Sequence, residues 1–264
     1  MRLSEKYLLL LCIAVPCILQ ATYFGNPGQP TLLEDGLIQS PPSWYCFRVG
    51  YMSDYLYRQN YKDEFPTPGA HPPSNYTSLR TNAATVTLNF KNCIDLNVIL
   101  GSAQLQIDQD VFTKNQFAWG VGGKLLICKT NSVLVGLDLK YLESQQKPLY
   151  FVGDGYAYNI KSNFKLNYTE MQAALGAAYL TKMISPYIYL SYLYSKIEPE
   201  PYLVMVQLPS VDMVLPTSSH SIINKRRWGM AVGGTILDGK MASLSIESRF
   251  INQNAINISG EIRF

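Results

Sequence analysis

The chain closes on Ala255-Ile256-Asn257-Ile258-Ser259-Gly260-Glu261-Ile262-Arg263-Phe264, a stretch that alternates without a break. Ile256, Ile258, Ile262 and Phe264 fall on one face with Gly260. Asn257, Ser259, Glu261 and Arg263 fall on the other. Period-two alternation of this length specifies a strand with one apolar and one polar face. The segment before it repeats the design. Ala242, Leu244, Ile246, Ser248 and Phe250 alternate with Ser243, Ser245, Glu247, Arg249 and Ile251, and Asn252-Gln253-Asn254 turns the chain back. Strands of about ten residues match the span of a tilted strand crossing a bilayer. The expectation is an all-β protein: an antiparallel up-and-down transmembrane β-barrel closed by its C-terminal strand.

Composition points the same way. Of 264 residues, 16% are charged, against about 25% in average soluble domains. Nineteen Tyr, ten Phe and three Trp supply amphipathic rings. Mean hydropathy is near zero, too low for a helical membrane protein. A net charge of +3 is too weak to suggest nucleic acid. Arg2 and Lys6 precede an uncharged apolar run, Tyr7 to Leu19, which is too short to span a bilayer as a helix, and Ala21 offers a small residue for cleavage. Residues 1–21 read as a signal peptide, residues 22–44 as an extended N-terminal segment in the lumen or on the periplasmic side, and residues 45–264 as the barrel. An exported chain with no apolar helix is soluble or a barrel. Beyond the signal peptide stand Cys46, Cys93 and Cys128. They are disulfide candidates, the odd count leaves at least one thiol free or paired with another chain, and alternation along 116–128 sets Cys128 inward with Lys124.

Along the chain, Cys46–Arg58 sets Phe47, Val49, Tyr51 and Tyr55 against Arg48, Asp54 and Arg58. Phe65–Ser78 is rich in proline and must be a loop. Hairpins follow at 82–100, 116–141 and 168–197, the last with Tyr187, Tyr189, Tyr192 and Tyr194 where an interfacial girdle would lie. Three final strands run over 226–237, 241–251 and 255–264, and Asp238-Gly239 favours the first of their turns. Segments 149–160 and 202–208 are weaker. Counting them gives about twelve strands, with ten or more than twelve as alternatives.

Several stretches occur together in a familiar order: Gly25-Asn26-Pro27, Trp44 with Arg48-Val49-Gly50-Tyr51 and Asp54, Thr81-Asn82-Ala83-Ala84, Ser185-Pro186-Tyr187-Ile188, Ala231-Val232-Gly233-Gly234-Thr235-Ile236, and Glu247-Ser248-Arg249 with Arg263-Phe264. Together they resemble the chlamydial-type major outer membrane protein family of porins. That resemblance implies a multi-pass protein of the bacterial outer membrane that passes ions and small hydrophilic solutes. It also implies a structural role in a disulfide-linked envelope. This chain is shorter and poorer in cysteine than the family pattern.

A porin needs no catalytic residue, metal or cofactor; it needs a wet lumen whose charges set selectivity. By alternation the candidate pore-lining charges are Arg48, Asp54, Arg58, Lys124, Asp138, Lys140, Glu247, Arg249, Glu261 and Arg263, with Lys91, Asp95 and Glu170 of the same parity. Their signs nearly cancel, which predicts weak selectivity or a structural network that fills a narrow barrel. Phe264 is the candidate recognition residue for barrel insertion machinery. Lys225-Arg226-Arg227 reads as an anchor in anionic headgroups. Gly120-Val121-Gly122-Gly123 precedes a strand and is no phosphate loop. His71 and His220 both fall in loops, which disfavours a zinc site or a serine-type triad. The expected partners are outer-membrane lipid, the insertion machinery, small solutes, and a second copy or disulfide-linked envelope proteins. The competing reading is a closed-barrel adhesin or structural envelope protein without conductance.

Overall fold

The fold is taken from a computed structural model, which describes residues 23–33, 36, 44–64, 76–108, 111–153, 156–160, 164–181, 183–200, 203–207, 212–216, 221–238 and 241–264. The signal-peptide reading, His71 and His220 fall outside them.

Ten strands form the wall: β1 (Tyr45–Gln59), β2 (Thr77–Phe90), β3 (Ile94–Ile107), β4 (Gln116–Lys129), β5 (Val133–Gln146), β6 (Lys165–Tyr179), β7 (Ile184–Glu200), β8 (Trp228–Asp238), β9 (Ala242–Phe250) and β10 (Gln253–Arg263). Each pairs antiparallel with its neighbours in sequence. β10 returns to β1, with Arg48 opposite Arg263 and Gly50 opposite Glu261, so the sheet has no free edge. Phe264 extends the seam by donating its N–H to the Phe47 carbonyl at 2.9 Å.

Ten strands, not twelve, close the ring. The two weaker segments form hairpins above it, Pro148–Gly153 with Tyr156–Ile160 and Leu203–Gln207 with Asp212–Pro216. Strands of five or six residues are too short to cross the bilayer. Short strands Tyr61–Asp63 and Ile222–Asn224 also pair above the wall. This end carries the longer connections and is the cell-exterior end; the opposite end has tight turns, as on the periplasmic side of such barrels. One of these, Phe90-Lys91-Asn92-Cys93, has positive φ at both central residues and closes with the Cys93 N–H on the Phe90 carbonyl at 2.9 Å. Lys91 therefore lies exposed in a turn, not inside. At the other end the β9–β10 turn is Ile251-Asn252, and Gln253 already belongs to β10.

The outer wall is apolar, with Val49, Val86, Val98, Leu175, Ile188 and Ile246 all exposed. Aromatic pairs border it at both ends. Trp44 and Phe90 lie 6.1 Å apart at the periplasmic rim, and Trp119–Tyr141 and Tyr192–Trp228 lie 5.7 and 5.4 Å apart at the exterior rim. Tyr187 and Tyr189 do not join that girdle. They have the opposite parity to Tyr192 and Tyr194 on β7, so they are buried in the interior with Ser185 and Ser191.

Parity also fails at two bulges. The pairing of β1 shifts after Leu56, which turns Arg58 outward and Gln59 inward. The β4–β5 register shifts between Leu126 and Cys128, so Cys128 is exposed rather than interior. The candidate disulfides are absent among the described residues: Cys46, Cys93 and Cys128 are free thiols, the first buried.

Candidate functional site

The candidate site is the barrel interior, and it is filled in two storeys. The periplasmic half holds residues 23–33, every one buried. The segment enters extended and then makes one helical turn, α1 (Gln29–Leu32), so it is not extended throughout. Asn26 sets the bend. Its carbonyl accepts the Gln29 N–H at 3.0 Å and its side-chain oxygen accepts the Gly28 N–H at 2.8 Å.

Charges of the wall grip this segment through its backbone. Lys124 Nζ donates to the carbonyls of Phe24 (2.8 Å) and Asn26 (3.0 Å). Lys140 reaches the carbonyls of Tyr23 and Phe24, and Arg263 that of Leu33. Glu247 works in the opposite sense, accepting the N–H groups of Phe24 (3.1 Å) and Gly25 (3.0 Å). The Gln29 amide donates to Glu261 at 2.9 Å. Asn26 Nδ2 spans to Ser185 and Thr235 on β7 and β8.

The remaining charges pair across the wall. Arg48 holds Asp95 at 2.5 Å and Glu261 at 3.0 Å. Arg249 bridges Asp54 and, at 3.7 Å, Glu247. Lys124 lies 3.3 Å from Asp138. Groups this buried persist as ions only when opposite charges and hydrogen bonds replace water. A cavity of about 20 Å³ remains among Phe24, Arg48, Thr87, Lys124 and Glu261, room for about one water.

The exterior half is closed by side chains alone. Leu56, Leu79, Leu105 and Tyr168 have no exposure, and Ile197 only 2%. A polar rim borders this layer: Gln59 and Tyr61 donate to Ser195 at 2.8 and 2.9 Å, and Tyr168 donates to Glu170. At the exterior end of β7, Lys196 bridges Glu64 (3.1 Å) and Glu198 (2.6 Å), and the Ser221 hydroxyl donates to Glu64. The bonds from Ser221 and Lys196 hold the Glu64 carboxyl below its usual range.

Of the sequence candidates, Arg48, Asp54, Lys124, Asp138, Lys140, Glu247, Arg249, Glu261 and Arg263 all face the interior, and Arg58 does not. Alternation did not identify their partner in the periplasmic half, the backbone of residues 24–33. Asn26-Pro27-Gly28 was the one local signal, a turn where a linker would have been straight.

No family model matches the chain. The chain is similar to the major outer membrane porin, serovar D, of Chlamydia trachomatis, at 20% identity over the whole of both chains. It is similar to the serovar L1 porin at 19%, again over the whole of both. Among solved structures it is similar to the translocator domain of the autotransporter NalP from Neisseria meningitidis (TM-score 0.46, 10% identity, 89% of this chain and 94% of that one). It is also similar to an outer membrane channel from Pseudomonas putida (TM-score 0.40, 10% identity, 87% and 98%). A closed barrel with an apolar outer wall and full-length similarity to outer membrane porins is a multi-pass protein of the bacterial outer membrane.

Proposed function

We propose that this protein is a closed barrel of the outer membrane with a structural, surface-presenting and non-enzymatic role, rather than a standing diffusion pore. One observation carries the reading: the interior is occupied along its length, by residues 23–33 below and by the Leu56–Leu79–Leu105–Tyr168 layer above. A ten-stranded ring is close in size to the barrels whose interiors side chains fill, and far from the sixteen or more strands of wide aqueous channels. Within this proposal Phe264 is the handle for insertion machinery. Exposed Cys93 and Cys128, at the periplasmic rim, are the thiols available to envelope partners or a second copy.

A second reading, passage of ions and small hydrophilic solutes, is favoured by full-length similarity to proteins named porins. It requires residues 23–33 to leave the lumen and the apolar layer to part. Planar-bilayer recording of the refolded protein separates the two, with folding certified by heat-modifiable gel mobility. Silence from folded protein is expected. Discrete conductance steps would overturn the closed-barrel reading in favour of the porin.

A further inference from the structure

The exterior rim is not electrically uniform. From β7 across β8, β9 and β10 to β1 and β2 it carries the exposed cations Arg58, Arg80, Lys225, Arg226 and Arg227, with exposed Lys62 beside them in the short strand after β1. Three of the arginines lie over tyrosine rings. Arg227 is 6.0 Å from the Tyr192 centroid and 5.6 Å from that of Tyr194, and it donates to the Tyr192 hydroxyl at 2.9 Å. Arg80 lies 5.4 Å above Tyr55, its partner across the β1–β2 ladder, and Arg58 lies 5.6 Å above Tyr76. Arg226 donates to the Ile251 carbonyl in the β9–β10 turn at 3.4 Å. Trp228, 61% exposed, packs edge-on against Tyr192 and marks the top of the apolar belt just below. Among the described residues none of these five cations has a carboxylate within ion-pair distance. Of the exterior carboxylates on this side, Glu64 and Glu198 are taken by Lys196 and Glu200 accepts from the Asn167 amide at 3.1 Å, while Asp63 sits in the short strand paired with Ile222–Asn224.

A guanidinium held against an aromatic face keeps its edge N–H donors free, and those match the two oxygens of a phosphate. The ring also restrains the long side chain before any ligand arrives, so less ordering is left for binding. The height is equally informative. Cations directly above an aromatic girdle sit at the level of lipid headgroups, while acyl chains can lie on the belt of Val232, Ile246 and Ile258 below.

We propose that this arc is a docking surface for a phosphorylated glycolipid of the outer leaflet, with headgroup phosphates clamped by Arg226–Arg227 at one end and Arg58–Arg80 at the other. The inference rests on the outer-membrane placement alone and is independent of whether the lumen conducts. The test uses the full refolded protein in detergent micelles, with bisphosphorylated lipid A and its dephosphorylated form as probes and native mass spectrometry as readout. Bound bisphosphorylated lipid is expected, and the dephosphorylated form should bind at least tenfold more weakly. Arg226→Gln/Arg227→Gln should weaken the phosphorylated probe about 25-fold, at about fivefold for each cation near a membrane surface. Lys114→Gln, an exposed cation on another part of the exterior end, should bind as wild type. Equal binding of the two lipids, or wild-type affinity in the double variant, overturns the proposal. So does full competition by millimolar inorganic phosphate, which would mark a free-anion site. If the double variant does not fold, the two-lipid comparison on wild type decides the matter alone.

Discussion

Replacing Lys124 with methionine tests whether the N-terminal segment is held by buried charge. The ammonium is 6% exposed, donates to Phe24 O at 2.8 Å and Asn26 O at 3.0 Å, and forms an ion pair with Asp138 at 3.3 Å. Methionine matches the stem and removes all three. Asp138, 1% exposed, is then a carboxylate without its cation. Breaking a buried pair from one side costs about 3–5 kcal/mol, most of it the uncompensated charge. The lost bonds to the segment are part of that sum, because the same ammonium makes them. Lys124 and Asp138 face each other across the β4–β5 ladder. Lys124→Met/Asp138→Leu therefore removes both charges at one point, and its cost should fall to about 1–2 kcal/mol, the worth of the two carbonyl bonds. The assay is equilibrium urea unfolding in detergent micelles followed by tryptophan fluorescence from Trp44, Trp119 and Trp228. A favourable coupling of at least about 2 kcal/mol between the two sites is the expected signature. Additive costs, or a Lys124→Met variant within about 1 kcal/mol of wild type, would refute the view that this ammonium is a buried clamp.

Three further outcomes follow from the same geometry. A Cβ at Gly136 would lie 2.5 Å from the Pro27 carbonyl oxygen and 3.2 Å from that of Leu125; Gly136→Ala should therefore displace the inner segment and speed chymotryptic cleavage near Tyr23 and Phe24 while leaving barrel circular dichroism intact, and an unchanged cleavage rate would argue against the lumenal position. In folded protein a water-soluble maleimide should modify Cys93 and Cys128 but reach Cys46, which has no exposure, only on unfolding, and mass spectrometry counts the adducts. The depressed pKa of Glu64 means its contribution is complete above the ordinary carboxylate value of 4.5 and is lost as pH falls through the lower folded value; amide exchange in Tyr61–Asp63 and Ile222–Asn224, corrected for intrinsic rate, should stay flat from pH 7 to 5 and rise only below that, and a rise centred near neutrality would contradict the assignment.

The wall was legible in the sequence because one physical rule writes it. A strand between lipid and an enclosed interior must alternate, and the ten strands that do so clearly are the ten that close the ring. What was misread follows from carrying that rule through places where the backbone breaks it. Arg58 and Cys128 sit just beyond bulges, and one extra residue reverses every later side chain. Tyr187 and Tyr189 were grouped with Tyr192 and Tyr194 by residue type, although parity on β7 separates them. The occupant of the lumen was illegible for another reason. Its bonds to the wall run over sequence separations of 19 to 232 residues, most of them above 90, and end mostly on backbone atoms, which carry no residue code.

That choice of backbone as the occupant has a physical logic. Alternation lines a narrow interior with both cations and anions, and a ring of ten strands has too little width to hydrate them all. A filler made of charged side chains would need a matching pattern of opposite sign. A run of main chain needs none, since each residue offers an acceptor and, proline apart, a donor. Lys124, Lys140 and Arg263 take the carbonyls, and Glu247 takes the N–H groups. Withdrawing the segment takes those bonds from all four at once, so each must be rewatered in the same event or left buried short of hydrogen bonds. Opening of the lower storey is therefore cooperative: a half-withdrawn segment is less stable than either a seated one or a flooded lumen.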